Sequence, residues 1–204
     1  MRISLHGRPV TDLPVIDPDE FRKILSSIGF QHALPNYVIF CDGSGSTPDR
    51  RCGFAALVYS QHVEGWCAEI TGGALAFGTN QDAESWAAIS GLERVLRREV
   101  KISPRRVAKV LIVTDSEHVS DKSRTPPRTL DLTASWDLLA IYRKHGLVVQ
   151  YFHAKRETTH QNQLADWLSK HLRVGLTNTL ASCIDAIKEG NGGNSEAGPE
   201  NQTE

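Results

Sequence analysis

The sequence predicts an α/β fold in which a five-stranded mixed sheet carries three helices, in the chain order β-β-β-α-β-α-β-α. Five short apolar runs have the length and composition of strands, and three longer amphipathic stretches have helical spacing. A strand that follows a helix usually returns parallel to an earlier strand. The order therefore predicts an antiparallel meander of three strands, followed by strands in parallel pairing, with the helices packed on the sheet.

The individual elements begin at about residue 36. The apolar run Tyr37–Cys41 predicts the first strand, and the next four residues, Asp42–Gly45, predict a tight turn because two of them are glycines. Two further strands at residues 53–59 and 64–75 complete the meander. The rest of the order is a helix at 80–98, a strand at 110–114, a helix at 133–144, a strand at 147–152 and a helix at 162–172.

The main domain is expected to span residues 36–188, with appended sequence on both sides. Residues 1–35 predict a helical segment, because Asp17-Pro18 is typical of a helix start and an apolar stripe follows it. We expect this segment to pack on the main domain. Residues 189–204 are rich in Gly, Asn and Glu and have almost nothing to bury, so we expect a disordered tail.

The composition indicates a globular protein of a reducing compartment. Apolar residues make up 40% of the chain and charged residues 23%, which excludes the disordered and membrane-spanning classes. The start of the chain lacks the apolar stretch of a signal peptide. The four cysteines form no CxxC pair, so we expect free thiols and a cytoplasmic location. We infer neither a membrane partner nor an obligate protein partner.

Two aspartates come directly after the two most apolar strands. Asp42 follows Tyr37–Cys41, and Asp115 follows Val110–Thr114. Wholly apolar strands are expected at the centre of a sheet, and ligands bind at the carboxyl ends of strands in open α/β sheets. If the two strands are parallel neighbours, their carboxylates lie close together and repel each other unless a cation is present.

Glu84 is predicted on the buried face of the first long helix. Ala87, Ala88, Leu92 and Val95 share its face at helical spacing. A buried carboxylate without a partner is costly, so Glu84 needs a base, a metal or the rim of a cleft. The alternative is an ordinary acid near a helix start.

Asp166 is by itself an ordinary acid of the last helix, and its importance depends on the three other acids. Asp42, Glu84, Asp115 and Asp166 recur at points that one mixed sheet can bring together. Oxygen ligands of this kind suit two Mg²⁺ ions, about 3.5 to 4 Å apart, that clamp a phosphate. Mn²⁺ is an acceptable substitute because all-oxygen ligation suits both ions.

Four motifs resemble those of the type 1 ribonuclease H family, in order and in spacing, over residues 36–172. They are Phe40-Cys41-Asp42-Gly43-Ser44, Asn80-Gln81-Asp82-Ala83-Glu84, Val113-Thr114-Asp115-Ser116, and a block that runs from His153 through Asn162 to Ala165-Asp166-Trp167-Leu168. The resemblance implies a ribonuclease H-like fold. It also implies an endonuclease that hydrolyses the RNA strand of RNA/DNA hybrids by a two-metal-ion reaction, leaving 5′-phosphate and 3′-hydroxyl ends.

The resemblance implies a catalytic role for five residues. Asp42 and Glu84 would be central metal ligands, Asp115 would complete one metal site and Asp166 the other. His153 would assist proton transfer or product departure. The alternative for His153 is a histidine that merely ends a strand.

The resemblance also implies the residues that bind nucleic acid. Gly43 and Ser44 would let the backbone approach the minor groove and the 2′-hydroxyls that mark RNA. Thr79 and Asn80 lie at a helix N-terminus, where free N–H groups suit phosphate or base edges. Asn162 belongs to the last motif and would contact nucleic acid as well.

Two departures from the family pattern affect the expected grip on substrate. Glu117 stands where many relatives carry glutamine, and a carboxylate there would repel a phosphate or give the site another ligand. Lys122–Arg128 is a shortened form of a basic protrusion. We therefore expect weaker hybrid affinity or help from a partner. A basic cluster between Arg94 and Lys109 either contacts phosphate or is a solvated helix end.

Two other functions remain open at this point. One is a structure-selective DNA nuclease of the same fold, such as a junction resolvase, and the other is a non-catalytic nucleic-acid-binding relative. The glycine-rich residues 43–46 and Asn80 favour the hybrid. The presence of all four acids argues against a non-catalytic protein, because a carboxylate cluster without metal is destabilising.

Overall fold

A mixed six-stranded sheet forms the centre of the computed structural model, which describes residues 2–5, 15–45, 50–102, 107–120, 146–155 and 158–174. The strands are β1 (Arg2–Leu5), β2 (Tyr37–Gly45), β3 (Cys52–His62), β4 (Gly65–Leu75), β5 (Ala108–Thr114) and β6 (Leu147–His153). The helices of these ranges are α1 (Pro18–Ser27), α2 (Asn80–Ile102), α3 (Glu117–Ser120) and α4 (His160–Arg173).

The strand order across the sheet is β1-β4-β3-β2-β5-β6. Strands β2, β3 and β4 form the predicted antiparallel meander, and β5 and β6 continue the sheet in parallel with β2. The predicted five-stranded mixed sheet is therefore confirmed, and β1 is an additional edge strand. It pairs antiparallel with β4, from Arg2 opposite Leu75 to Leu5 opposite Gly72.

The two faces of the sheet carry two separate clusters of buried side chains. Val38 and Phe40 of β2 face the side covered by α1 and α4, and Ile39 and Cys41 face the side covered by α2. This alternation follows from the strand period of two residues. Because both faces are covered, β2 is buried along its length, as its apolar sequence predicts.

Helix α1 lies within residues 1–35, where Asp17-Pro18 indicates a helix start. The Asp17 side chain accepts hydrogen bonds from the backbone N–H groups of Asp19 and Glu20, which caps the helix, and Pro18 begins it. Phe21 is fully buried and stacks on Trp66 of β4, with the ring centroids 4.3 Å apart. The segment thus packs on the main sheet, as expected.

The predicted tight turn at Asp42–Gly45 is wrong. These four residues extend β2, because their backbones pair with Cys52–Ala55 of β3 in register. The glycines here serve the close approach of helices, described below, and not a change of chain direction. The β1 strand was not predicted either, because four residues are too few to show a pattern.

Several other predictions concern residues outside the described ranges. These are the helix at 133–144, the loop Lys122–Arg128, the tail at 189–204 and Cys183. Within the ranges, Cys41, Cys52 and Cys67 are in no disulfide bond. No described helix has both the length and the apolar character that crossing a bilayer requires.

Candidate metal centre and nucleic-acid face

Asp42 and Asp115 are brought together by two neighbouring parallel strands. β2 and β5 pair from Tyr37 opposite Val110 to Phe40 opposite Val113. Asp42 and Asp115 each lie two residues beyond the last of these pairs, so the register places them side by side. The prediction that the two apolar strands are parallel neighbours is confirmed.

Glu84 reaches the same edge of the sheet from α2. The helix start is held by Thr79, whose hydroxyl accepts from the Asp82 N–H, while the Asp82 carboxylate accepts from the Thr79 N–H at 2.8 Å. This reciprocal arrangement is a capping box with aspartate in the third position. It fixes where α2 begins and therefore where Glu84 lies.

Gly43 allows α2 to approach β2 closely enough for Glu84 to meet Asp42. A Cβ atom on Gly43 would lie 2.1 Å from the backbone nitrogen of Glu84, a distance that real Cβ atoms do not adopt. The Gly43 N–H in turn donates to Glu84 Oε2 at 3.1 Å. Glycine at position 43 is thus required for a close helix–strand contact.

Asp42, Glu84 and Asp115 form a group in which one carboxylate oxygen of each residue lies within 4.8 Å of those of the other two. We call it the three-carboxylate group. Asp42 and Glu84 are each only 5% exposed, and Asp115 is half-buried. Carboxylates this close repel each other, and burial adds a desolvation cost that a cation offsets. The group therefore has the donor atoms, the charge and the spacing of a site for a hard divalent cation.

The thiol of Cys41 lies in the negative electrostatic potential of the three-carboxylate group. Burial raises its pKa well above the ordinary value, and the charges of Glu84 and Asp42 raise it further. A thiol in this setting stays protonated, so Cys41 acts as an apolar core residue of β2 and not as a nucleophile.

Asp166 lies on α4 and is not a member of the three-carboxylate group. Its carboxylate accepts from Lys170 Nζ, one helical turn further on, at 2.5 Å. The two side chains are 24% and 49% exposed, so this ion pair is a weak one. The next turn of α4 does contact the group, because Ser169 Oγ lies 2.6 Å from Asp42 Oδ2 and 2.9 Å from the carbonyl oxygen of Asp166.

Asn80 and His153 lie beside the three-carboxylate group. Asn80 accepts from the Gly45 N–H at 2.8 Å, and its amide nitrogen is 3.4 Å from Glu84 Oε1. His153 ends β6, and its Nε2 lies 3.1 Å from the carbonyl oxygen of Asp115. Both predicted residues are thus near the acids, and their roles stay predictions.

Three other residues predicted to bind nucleic acid have protein partners in this structure. The Ser44 side chain is buried and accepts from Arg173 Nη1 at 3.0 Å. Thr79 is exposed, and its hydroxyl takes part in the capping box. The Asn162 N–H donates to Thr159 Oγ1, and its side-chain nitrogen is buried. None of these contacts tests the predicted binding.

Glu117 is the first residue of α3 and is exposed, outside the three-carboxylate group. Of the basic cluster predicted on α2, Arg94 and Arg98 form ion pairs with Glu69 of β4. Those two arginines therefore serve the packing of α2 on the sheet.

Sequence reasoning missed Ser169, Arg173 and Gly53. Arg173 donates to Ser44 Oγ and to the carbonyl oxygen of Gly45, and the backbone of α4 lies directly on Gly53. The available signal is that Ser169 and Arg173 are four residues apart on one helix, close after Asp166. That spacing places both on one face but does not say what the face contacts.

Comparison with known proteins agrees with this fold. The ribonuclease H (RNase H) family model matches residues 35–173. A comparison with curated protein sequences finds no match. The fold is similar to that of several solved structures, over about seven-tenths of this chain.

In three of these matches, the aligned region includes nearly all of the other protein's chain. The N-terminal RNase H domain of a Mycobacterium tuberculosis protein, solved as a fusion with maltose binding protein, is 22% identical with a TM-score of 0.53, over 72% of this chain and 99% of that one. RNase H1 from the halophilic archaeon Halobacterium salinarum is 20% identical with a TM-score of 0.51, over 68% and 98%. LC11-RNase H1, in complex with an RNA/DNA hybrid, is 19% identical with a TM-score of 0.51, over 68% and 97%.

At these identities the structural likeness is one of fold. The fold and the three-carboxylate group define a protein of the ribonuclease H-like class, and the family match extends over most of the chain. The chain belongs to the ribonuclease H family of enzymes.

Proposed function

We propose that this protein is an endonuclease that hydrolyses the RNA strand of RNA/DNA hybrids. The observation that carries the proposal is the three-carboxylate group at the carboxyl ends of two central parallel strands. Membership of the ribonuclease H family supports the reaction class. That LC11-RNase H1 has been solved with an RNA/DNA hybrid supports the choice of substrate.

The residues of the site fit divalent cations. The three-carboxylate group offers only oxygen donors, and two of its carboxylates are almost fully buried. Asp42, Glu84 and Asp115 would hold one cation, and Asp42 with Asp166 would hold a second. When bound, two such ions activate the attacking water and stabilise charge on the scissile phosphate. Mg²⁺ and Mn²⁺ both suit these ligands.

The ion pair between Asp166 and Lys170 is weak enough to be exchanged for a cation. Its partner Lys170 is half exposed, and an exposed ion pair contributes about 0 to 1 kcal/mol. The carboxylate of Asp166 is therefore held by Lys170 less firmly than the buried carboxylates of Asp42 and Glu84 are held in the group. The proposal requires that the Asp166 carboxylate exchange Lys170 for a cation.

The proposed nucleic-acid face surrounds the three-carboxylate group. Thr79 and Asn80 present the N-terminus of α2, which suits a phosphate of the DNA strand. The backbone at Gly43 and Ser44 lies next to the acids and would follow the minor groove of the hybrid. Asn162 is assigned to this face by the motif alone.

The proposed reaction breaks the bond between phosphorus and the 3′-oxygen of the preceding nucleotide. The oxygen of water forms the new bond to phosphorus and stays on the 5′-phosphate, and the departing oxygen takes up a proton as a 3′-hydroxyl. His153, next to the carbonyl of Asp115, would assist proton transfer or product departure.

We also propose a reducing compartment such as the cytoplasm. Cys41, Cys52 and Cys67 are in no disulfide bond, which supports this location.

The test is incubation of the purified protein with end-labelled RNA/DNA, RNA/RNA, DNA/DNA and branched DNA, each with Mg²⁺ and with chelator. We expect cutting of the RNA of the hybrid alone, and only with metal. A polymerase that extends 3′-hydroxyls should then elongate the upstream products. Cutting of branched DNA would favour the structure-selective DNA nuclease, and metal-independent binding without cleavage would favour a non-catalytic relative.

A further inference from the structure

We infer that Ser169 is a positioning residue that holds the Asp42 carboxylate in the three-carboxylate group. The inference rests on the proposed function and adds to it a residue outside the family motifs. Ser169 Oγ lies 2.6 Å from Asp42 Oδ2. The hydroxyl must be the donor, since an ionised carboxylate only accepts. A hydroxyl-to-carboxylate bond of this length is of the strong, charge-assisted kind.

Burial favours this contact over one with water. Ser169 is 0% exposed and Asp42 is 5% exposed. A carboxylate in a low-dielectric setting gains more from a directed donor than it would in water. Loss of the hydroxyl would therefore leave an oxygen of Asp42 with one strong donor fewer in a largely buried setting.

The usual bonding of helical serines shows that the contact is specific. On α2, Ser85 donates to the carbonyl of Gln81 at 2.8 Å, and Ser90 donates to that of Ala87 at 3.0 Å. Ser169 has the same local option, because the carbonyl oxygen of Asp166 is 2.9 Å away. The Asp42 carboxylate is both closer and charged, so it is the better acceptor for the single hydroxyl proton.

Close packing of α4 on β3 gives Ser169 this reach. A Cβ atom on Gly53 would lie 2.0 Å from the carbonyl oxygen of Ser169 and 2.4 Å from the nitrogen of Arg173. One turn after Ser169, Arg173 Nη1 donates to Ser44 Oγ at 3.0 Å and to the Gly45 carbonyl at 3.1 Å. The last turns of α4 thus hold β2 at residues 42, 44 and 45.

The consequence concerns metal affinity. A ligand carboxylate whose orientation is held by a neighbouring donor loses less freedom when a cation binds, and removal of such a donor typically weakens metal affinity about 10-fold or more. Ser169 itself need not touch the cation or the nucleic acid. Its effect is exerted through Asp42.

The test compares Ser169→Ala with Ser90→Ala as a matched control. Both are buried helical serines, at 0% and 5% exposure, but Ser90 bonds only its own helix in the contacts described above. Mn²⁺ affinity is measured by calorimetry on the full chain without nucleic acid, and the Mg²⁺ dependence of single-turnover hybrid cleavage is measured separately. Thermal unfolding in chelator records any general loss of stability.

We expect Ser169→Ala to weaken Mn²⁺ binding about 10-fold and to shift the Mg²⁺ dependence of cleavage by a similar factor. Cleavage at saturating Mg²⁺ should fall less than the affinity. Ser169→Cys keeps a weak donor of similar size and should give an intermediate affinity. Ser90→Ala should bind Mn²⁺ within about twofold of the wild type, whatever its unfolding midpoint.

Two results would overturn the inference, and they are distinguishable. If the wild type binds metal and cleaves the hybrid while Ser169→Ala binds Mn²⁺ equally well, Ser169 serves the packing of α4 only. If the wild type binds neither ion and cleaves no hybrid, the proposed function fails and the positioning role falls with it. A folding defect in Ser169→Ala would leave Ser169→Cys to decide between these outcomes.

Discussion

Replacement of Asp115 by asparagine should make the metal-free protein more stable. One carboxylate oxygen of each residue in the three-carboxylate group lies within 4.8 Å of those of the other two. Two unit charges at that separation repel by roughly 3.5 kcal/mol at an effective dielectric constant of about 20. Asp115 is half-buried, so solvent reduces the interaction, and we expect a gain of about 1 to 3 kcal/mol in the free energy of unfolding.

The assay is urea denaturation of the wild type and of Asp115→Asn, each in chelator and in excess Mg²⁺. The variant should have the higher midpoint in chelator. Mg²⁺ should raise the wild-type midpoint through linkage and raise that of the variant much less. Cleavage of the hybrid should be lost in the variant, while hybrid binding is retained because a negative charge has been removed.

Glu117→Gln is the matched control for this experiment. Glu117 is an exposed acid two residues after Asp115 and lies outside the three-carboxylate group. Its substitution should leave both the midpoint in chelator and the response to Mg²⁺ close to wild type. The reasoning is refuted if Asp115→Asn is less stable in chelator than the wild type, or if it keeps the full response to Mg²⁺.

Three further predictions concern packing and pH. Gly43→Ala should move the start of α2, because the new Cβ atom would lie 2.1 Å from the backbone nitrogen of Glu84. Overpacking of this kind costs about 1 to 3 kcal/mol in the free energy of unfolding. Urea unfolding should show the lower stability, and a cleavage assay should show lower activity. Tyr37→Phe should lower the free energy of unfolding, measured in urea, by about 1.5 to 3 kcal/mol. The reason is that the Tyr37 hydroxyl donates at 2.5 Å to the buried carboxylate of Glu99, which would lose this donor. An unchanged stability would contradict this prediction. Burial raises the pKa of Tyr59 to about 12, so the unfolded chain, with a tyrosine pKa of about 10, ionises first. The stability contributed by Tyr59 is present below about pH 10 and is lost between about pH 10 and 12, by about 2 to 3 kcal/mol, and Tyr59→Phe should show a smaller decline in urea unfolding over that range.

The centre of the fold and the three-carboxylate group could be predicted because local patterns determine them. Two wholly apolar strands indicate central positions, and the register of β2 and β5 then places Asp42 beside Asp115. Helical periodicity placed Glu84 on the buried face of α2, which the structure confirms. These inferences need only the periods of strands and helices and the usual direction of chain return.

The remaining features depend on contacts between distant parts of the chain. Ser169 lies 127 residues from Asp42, and no local pattern links a helical serine to a strand aspartate at that distance. The glycine at position 43 indicated a turn, whereas its actual role is to admit α2 against an extended strand. The ion pair between Asp166 and Lys170 is, by contrast, a local contact, because helical spacing places residues four apart on one face.

The central claim is that the three-carboxylate group performs hydrolysis of the hybrid. The most direct measurement is the single-turnover rate of RNA-strand cleavage at saturating Mg²⁺ for the wild type, Glu84→Gln and Glu93→Gln. Glu93 lies on the same helix and outside the group, so its variant should cleave like the wild type. The account predicts a loss of roughly 1000-fold or more for Glu84→Gln, about 4 kcal/mol in the barrier. A Glu84→Gln protein that is folded and cleaves the hybrid at the wild-type rate would contradict the account.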